Sequence, residues 1–231
     1  MKIAVCSMED RHDEFFDKVS ENHRFYCRER GYEYYEVRDF GKYGQKPESH
    51  WHKFDVIWDV LNDERLYDGT GDVYVLWVDM DAIFTNFGIG VEEYVRLFEG
   101  DASILMSKDC HGGRCMWDNG WNNGVFLMRV GDSLRRLVNV MRSRSIAELF
   151  NYMQANGLLD DWKDQNAFCW LLDEVEDFRG MVQEIPAKGF NSYVRDRAYV
   201  GNEWERGDFI LHLAGQSQEE RMAYARALGI F

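Results

Sequence analysis

Six consecutive apolar residues, Val73-Tyr74-Val75-Leu76-Trp77-Val78, follow Gly71-Asp72 and stop at Asp79-Met80-Asp81. A run so short, β-branched and aromatic, with turn residues before it, reads as a buried strand. Side chains two apart on an extended segment point the same way, so Asp79 and Asp81 are expected to aim at one spot beyond the strand's carboxyl end. In open α/β sheets that edge is where ligands bind. Two neighbouring carboxylates repel unless a cation or a donor separates them. The pair therefore points either to a divalent metal held by oxygen ligands with a phosphate-containing substrate, or to an ordinary solvated turn, where Asp is common.

The surrounding sequence alternates in type. Strands are expected at 3–6, 32–37, 103–106, 125–130, 181–185 and 209–213. Helices are expected at 13–30, at 48–66, around Leu134–Met141 and Phe168–Val175, and at 218–228. The second of these carries Phe54, Ile57, Trp58 and Leu61 at the spacing of one helical face. Residues 39–49 and 109–123 read as loops. This alternation predicts an α/β fold built on a mainly parallel sheet. With no Gly/Ser/Pro-rich linker, repeat or low-complexity tract, residues 1–231 read as one domain.

Charge and cysteine use exclude several classes. A formal net charge of −14 repels nucleic acid and anionic membrane surfaces, so an anionic ligand needs a metal or a few local cations. Five cysteines, an odd number at irregular spacing, do not form a disulfide framework. Cys6 and Cys169 read as small core residues. Cys110-His111 with Cys115 supplies three ligands and lacks the second pair of a zinc site. No run approaches the roughly 18 apolar residues of a membrane span, and no signal peptide precedes the first strand, so a cytoplasmic protein is expected.

Further candidates lie along the chain. Asn122-Asn123-Gly124 lets a backbone approach a ligand closely, or forms a hairpin turn. Asp164-Gln165 opens a helix, either as cap or as a carboxylate and an amide facing a reacting centre. His212 shares a strand face with Ile210 and Asp208 and is either a structural histidine or a third metal ligand beside two carboxylates.

Taken in order, Trp51-x-Lys53, Asp79-Met80-Asp81-Ala82-Ile83-Phe84-Thr85-Asn86, Asn122-Asn123-Gly124-Val125-Phe126-Leu127, Asp164-Gln165, Phe190-Asn191-Ser192-Tyr193 and Gly207-Asp208-Phe209-x-x-His212-x-Ala214-Gly215 resemble glycosyltransferase family 34. That family includes fungal α-galactosyl- and α-1,6-mannosyltransferases and plant xyloglucan α-1,6-xylosyltransferases. The match covers about residues 50 to 216; each motif alone is weak, and the six in register are specific.

The resemblance implies a GT-A fold, a Rossmann-like mixed, mostly parallel sheet flanked by helices. About residues 1–100 would form the nucleotide-sugar half and 101–231 the acceptor half. It implies Mn²⁺ or Mg²⁺ on Asp79, Asp81 and His212, with a UDP-sugar or GDP-sugar as donor. Ser7, Lys53, Asp79, Asn123, Gly124 and Gly215 would line the donor site, and Asp164 and Gln165 the reacting sugar. Ser7 and Met8, at the end of the first strand, would lie near the base, and the 110–119 loop, with Trp117 and Trp121 beside it, would either contact the acceptor or form a packed cover. Transfer of a hexose or pentose to a glycan or glycoprotein acceptor, with retention and by front-face attack, is the implied reaction. A silent nucleotide-sugar or glycan-binding module and a metal-dependent nucleotidyl- or phosphotransferase are the alternatives. Two departures stand out. Plant members carry a Lys after the His-x-x-Gly element, where this chain has Gln216-Ser217-Gln218, which leaves the second phosphate-neutralising cation to Lys188, Arg195 or Arg197. Eukaryotic members also carry an N-terminal anchor, so this sequence resembles bacterial or large-DNA-virus relatives more closely. Viral capsid glycosylation in a host cytoplasm is one such setting.

Overall fold

A computed structural model describes residues 1–67, 71–108, 120–158, 163–194 and 201–231. In chain order the elements are β1 (Lys2–Met8), α1 (Glu14–Arg30), β2 (Glu33–Val37), α2 (Lys53–Leu61), β3 (Val73–Val78), β4 (Ala82–Phe84), α3 (Val91–Val95), β5 (Ile104–Lys108), β6 (Trp121–Arg129), α4 (Asp132–Met141), α5 (Arg144–Ala155), α6 (Lys163–Glu174), β7 (Val182–Glu184), the single turn α7 (Ala187–Phe190), β8 (Ser192–Tyr193), β9 (Ile210–His212) and α8 (Gln218–Ala227). The main sheet has the order β2-β1-β3-β6-β5-β7, and β4-β9-β8 form a second, small sheet.

In the main sheet the β1–β2, β1–β3 and β5–β7 pairs are parallel, and only β6 runs against its neighbours. The expected mixed, mostly parallel α/β sheet is therefore the one observed. All six β3 residues are buried. Val73, Val75 and Trp77 pack into the cluster beneath α2, α4 and α6. Tyr74, Leu76 and Val78 face the opposite cluster with Phe84, Phe190 and Phe209. Alternation with a core on either face is the reason the segment reads as an unbroken apolar run.

Several expected boundaries move. The helix expected over 48–66 is α2 flanked by short 3-10 turns at Ser49–His52 and Glu64–Leu66. The Asn-Gly pair is no hairpin turn: Asn122, Asn123 and Gly124 are the opening residues of β6, paired alongside β3 from Val125 onward. Trp121 starts that strand and is buried in the helical-side core, which fits a packed cover and not an exposed acceptor contact. Residues 110–119, with Cys110, His111, Cys115 and Trp117, lie outside the described residues. Cys6, Cys27 and Cys169 are buried thiols, as expected for the first and last of them. Among the described residues, no helix is long and apolar enough to cross a membrane.

The first helix is fixed to the sheet by a buried polar chain. Asp13 caps α1 by accepting from the Phe16 N–H. Ser7 Oγ lies 2.8 Å from the Tyr34 hydroxyl, which is 3.4 Å from His23 Nδ1. His23 Nε2 lies 2.7 Å from the Ala82 carbonyl. Burial pushes the His23 pKa down to about 4, against opposition from that carbonyl and from Glu36. The unfolded chain binds this proton near pH 6.5, so below that pH the unfolded state takes up a proton that the folded state refuses. Stability should fall as pH drops from 6.5 to 4, by about 3 kcal/mol for this group. Urea unfolding of the wild type and of His23→Gln between pH 7 and 4 tests this: the variant should lose about that much of the acid-side decline, and an identical decline would refute it.

Candidate active site

The fold brings distant segments to the carboxyl end of β3. Because β6 is antiparallel, its first residues lie beside the last of β3, and the Asp79 N–H donates to the Gly124 carbonyl at 2.8 Å. The chain then turns, with the Ala82 N–H donating to the Asp79 carbonyl at 2.9 Å. Asp79 and Asp81 thus converge through a β-turn, and not by pleat alternation along an extended strand as the sequence pattern implied. Met80 anchors the turn by burying its side chain with Phe15 and Phe16.

His212 arrives from the small sheet. Ala82 is its partner across the β4–β9 ladder, and the Leu213 N–H donates to the Asp81 carbonyl at 2.8 Å. One ligand atom each from Asp79, Asp81 and His212 lies within 4.8 Å of the others. The ring is oriented from behind. Asn191 Nδ2 sits 3.0 Å from Asn122 Oδ1, 3.1 Å from the Tyr193 hydroxyl and 3.3 Å from Ser107 Oγ. That leaves Asn191 Oδ1 to accept from His212 Nδ1 at 3.0 Å. With the Nδ1 proton assigned to that bond, Nε2 faces Asp81 Oδ1 at 3.2 Å. That contact is satisfied by a proton on Nε2 or by a cation between the two atoms, and a hydrogen bond to the other ring nitrogen is how metal-ligating histidines are usually oriented. The donor set, two hard carboxylates and one imidazole, fits a Mn²⁺- or Mg²⁺-type ion.

Lys53 is buried under Asp79 at the start of α2, 3% exposed. Its ammonium lies 2.9 Å from the Asn123 carbonyl, 3.3 Å from Asn123 Oδ1, 3.2 Å from Asp79 Oδ1 and 3.7 Å from Asp164 Oδ2. The Trp77 indole N–H donates to the same Asp79 oxygen at 2.6 Å. Burial pushes the Asp79 carboxyl up, partly offset by Lys53 and reinforced by Asp81. Burial also acts on Asp81, but His212 and Arg221 outweigh it and hold that carboxyl well below the usual range. Asp164 likewise ends below it: burial is opposed by Lys53, His50 and the Asn123 side chain.

The first turn of α6 completes the wall. Asn123 Nδ2 donates to Asp164 Oδ2 at 2.9 Å, and the Asn123 N–H donates to Gln165 Oε1 at 3.1 Å. A cavity of about 410 Å³ is lined by Lys53, Asp79, Asp81, Asn123, Gly124, Asp164, Gln165, His212 and Gly215, together with Glu48, His50 and Arg221. A second cavity, of about 400 Å³, shares His50, Lys53, Asp79 and Asp81 and extends past Met8, Arg11 and Phe40. Of the ten residues singled out from sequence, nine line the first cavity. Ser7 lines neither: its side chain is buried against Tyr34, and its neighbour Met8 reaches the second cavity.

Sequence reasoning missed Arg221, whose Nη2 lies 2.6 Å from Asp81 Oδ2, because it sits on a helix 140 residues away from its partner. It also missed the orienting role of Asn191 and the cavity position of His50. Lys188 is not the replacement cation. It bonds the Glu203 carbonyl, Asp208 and Glu205 away from the cavity. Arg195 and Arg197 lie outside the described residues.

Gly124 matters through contact. A Cβ there would sit 2.3 Å from His212 Cε1 and 3.1 Å from Asn122 Oδ1. Gly124→Ala should push the His212 ring aside and cost about 1–3 kcal/mol, the usual range for overpacking. Denaturant unfolding together with the NMR shifts of the His212 ring checks this, and wild-type values for both would contradict the contact.

The comparisons agree with this geometry. The chain matches the galactosyl transferase GMA12/MNN10 family over residues 2–109 and 99–223. Its fold is similar to that of a glycosyltransferase involved in the glycosylation of the major capsid of PBCV-1, with a TM-score of 0.69 and 17% identity over 98% of this chain and 100% of the other. It is also similar to apo mouse xyloside xylosyltransferase 1, with a TM-score of 0.54 and 11% identity over 93% and 97% of the two chains. No curated protein sequence matches the chain significantly. With the family matched over nearly its whole length, the chain belongs to the galactosyl transferase GMA12/MNN10 family, glycosyltransferase family 34, and is a glycosyltransferase of GT-A fold.

Proposed function

We propose that the enzyme is a metal-dependent retaining glycosyltransferase that moves a hexose or pentose from a UDP- or GDP-linked donor to a glycan or glycoprotein acceptor. The observation that carries this reading is the convergence of Asp79, Asp81 and His212 within 4.8 Å at the junction of two cavities. A Mn²⁺ or Mg²⁺ ion held there would neutralise the diphosphate and improve it as a leaving group.

The chain's own residues supply the rest. The cavity beside Met8, Arg11 and Phe40 is the place for the nucleoside, in the amino-terminal half of the chain. The cavity beside Asn123, Gly124, Asp164, Gln165 and Gly215 is the place for the sugar and the incoming hydroxyl. Asp164 is held ionised by Lys53, His50 and Asn123, so its carboxylate can stabilise positive charge developing at the sugar ring. Gln165 keeps the Asn123 backbone in place beside it. Attack of the acceptor hydroxyl from the departing side gives retention. The PBCV-1 relative named for capsid glycosylation supports a glycoprotein acceptor as the first one to test.

Thermal stabilisation against a panel of nucleotide sugars, with Mn²⁺ and with EDTA, tests the donor reading. A true donor at a hundredfold excess over its Kd adds roughly 2.7 kcal/mol of stability, so one UDP- or GDP-sugar should raise Tm in Mn²⁺ and lose that shift in EDTA. An equal shift in EDTA would remove the metal from the reading. Asp81→Ala should abolish the metal-dependent shift and transfer together, and normal turnover in that variant would exclude Asp81 as a ligand. Asp164→Asn should cut kcat by at least about a hundredfold, the scale of lost electrostatic stabilisation, with little change in donor KM. The reverse pattern would make Asp164 a binding residue.

A further inference from the structure

A diphosphate docked at Asp79, Asp81 and His212 needs cations besides the metal, because Asp164 and Glu48 face the same cavity. Three cationic side chains reach the two cavities among the described residues: Lys53, Arg11 and Arg221. They differ in what their protons already do. An ammonium has three N–H groups, and Lys53 sits among four acceptors of the protein: two oxygens of Asn123 and one each of Asp79 and Asp164. Arg11 gives Nε and Nη2 to the two oxygens of Glu9, at 2.8 and 2.6 Å, and stacks on Phe16. One carboxylate thus takes two of its nitrogens, and the residue lines only the second cavity, beside Met8 and Phe40.

Arg221 is placed differently. Its Nη2 holds Asp81 Oδ2 at 2.6 Å and its Nε reaches the Leu213 carbonyl at 3.4 Å. Nη1 makes no hydrogen bond to a described residue. The side chain is 11% exposed, and the residue lines the cavity. The planar fork of a guanidinium can bond a carboxylate with one arm and a phosphate oxygen with another, across a wider and more rigid span than the single nitrogen of an ammonium provides. Asp81 Oδ1 remains turned to His212 Nε2, so Arg221 and His212 use different oxygens of Asp81. The helix that carries Arg221 is fixed by the Ser217–Glu220 capping box and by packing of Ala225 and Met222 with Phe15 and Met80.

We propose that Arg221 is the phosphate-binding cation of the donor site, holding Asp81 with one arm and taking an oxygen of a nucleoside diphosphate with the other. Lys53 is then a positioning residue for Asp79, Asn123 and Asp164. This inference rests on the donor reading above and answers what replaces a cation in the segment Gln216-Ser217-Gln218.

Isothermal titration in Mn²⁺ with UDP, GDP and the two free nucleosides tests it on the wild type, Arg221→Met and Arg221→Lys. Mn²⁺ alone is titrated in parallel. The Met variant should bind the preferred nucleoside diphosphate about 10- to 100-fold more weakly, the scale of one charge-assisted hydrogen bond, with nucleoside affinity within about twofold of the wild type. Arg221→Lys keeps a cation in place should the Met variant not fold, and it should lose about three- to tenfold, since a shorter side chain donating from one nitrogen loses the planar fork that spaces the two partners. Wild-type diphosphate affinity in a folded variant overturns the proposal. So does an equal loss for Mn²⁺ alone, which would place the whole effect on Asp81. A wild-type protein that binds neither diphosphate in Mn²⁺ overturns the donor reading itself, an outcome distinct from wild-type-like variants.

Discussion

Asp79 and Asp81 repel each other across less than 5 Å, at a cost on the order of 3 kcal/mol for an effective dielectric near 20. Much of the surrounding structure offsets that repulsion. Lys53 lies under Asp79, and the Trp77 indole, which shares its strand face, donates to the same oxygen. His212 and Arg221 divide the two oxygens of Asp81 between them. The two carboxyls therefore respond in opposite directions: burial raises Asp79, while the contacts on Asp81 outweigh burial and lower it. Such an asymmetric pair, at a strand end and beside a cavity, marks a functional site more strongly than the spacing of the two residues does.

The frame exists to deliver those partners. A wholly parallel sheet would place the start of each strand at the edge away from Asp79. The single reversed strand, β6, brings Asn122, Asn123 and Gly124 to the correct edge. The small sheet then carries His212 across from Ala82, and the missing side chain at Gly124 admits the His212 ring. Asn123 ties the two halves of the wall together, since its main chain and side chain reach Lys53, Asp164 and Gln165. A change at any one of these residues is felt by the others through direct contact, so their effects should not add independently.

The parts legible in the sequence are those governed by short-range pattern. The buried strand, the helical face of Phe54, Ile57 and Leu61, and the amphipathic α4 have periodicities that burial imposes directly. The helix α5 is passed over in the sequence reading, although Ile146, Ala147, Phe150 and Met153 recur at helical spacing and pack against the core. Strands such as β4 and β8 are three and two residues long, too short for a period. Asn122-Gly124 misled because Asn-Gly chemistry suits a turn, whereas here the glycine answers to a histidine ring 88 positions further along the chain.

The sequence by itself determined the class of fold, the strand end that carries the two carboxylates, and the kinds of ligand atom on offer, because local patterning and side-chain chemistry need no tertiary information. Its ordered motifs also identified the family. Tertiary structure alone decided which cation answers which carboxylate. It buried Ser7 against Tyr34 and brought Met8 to the second cavity, it made Asn191, which reads as a loop residue, the group that aims His212, and it carried Arg221 to Asp81. Those assignments depend on distances of a few ångströms between residues up to 140 positions apart, and no local pattern encodes such a distance.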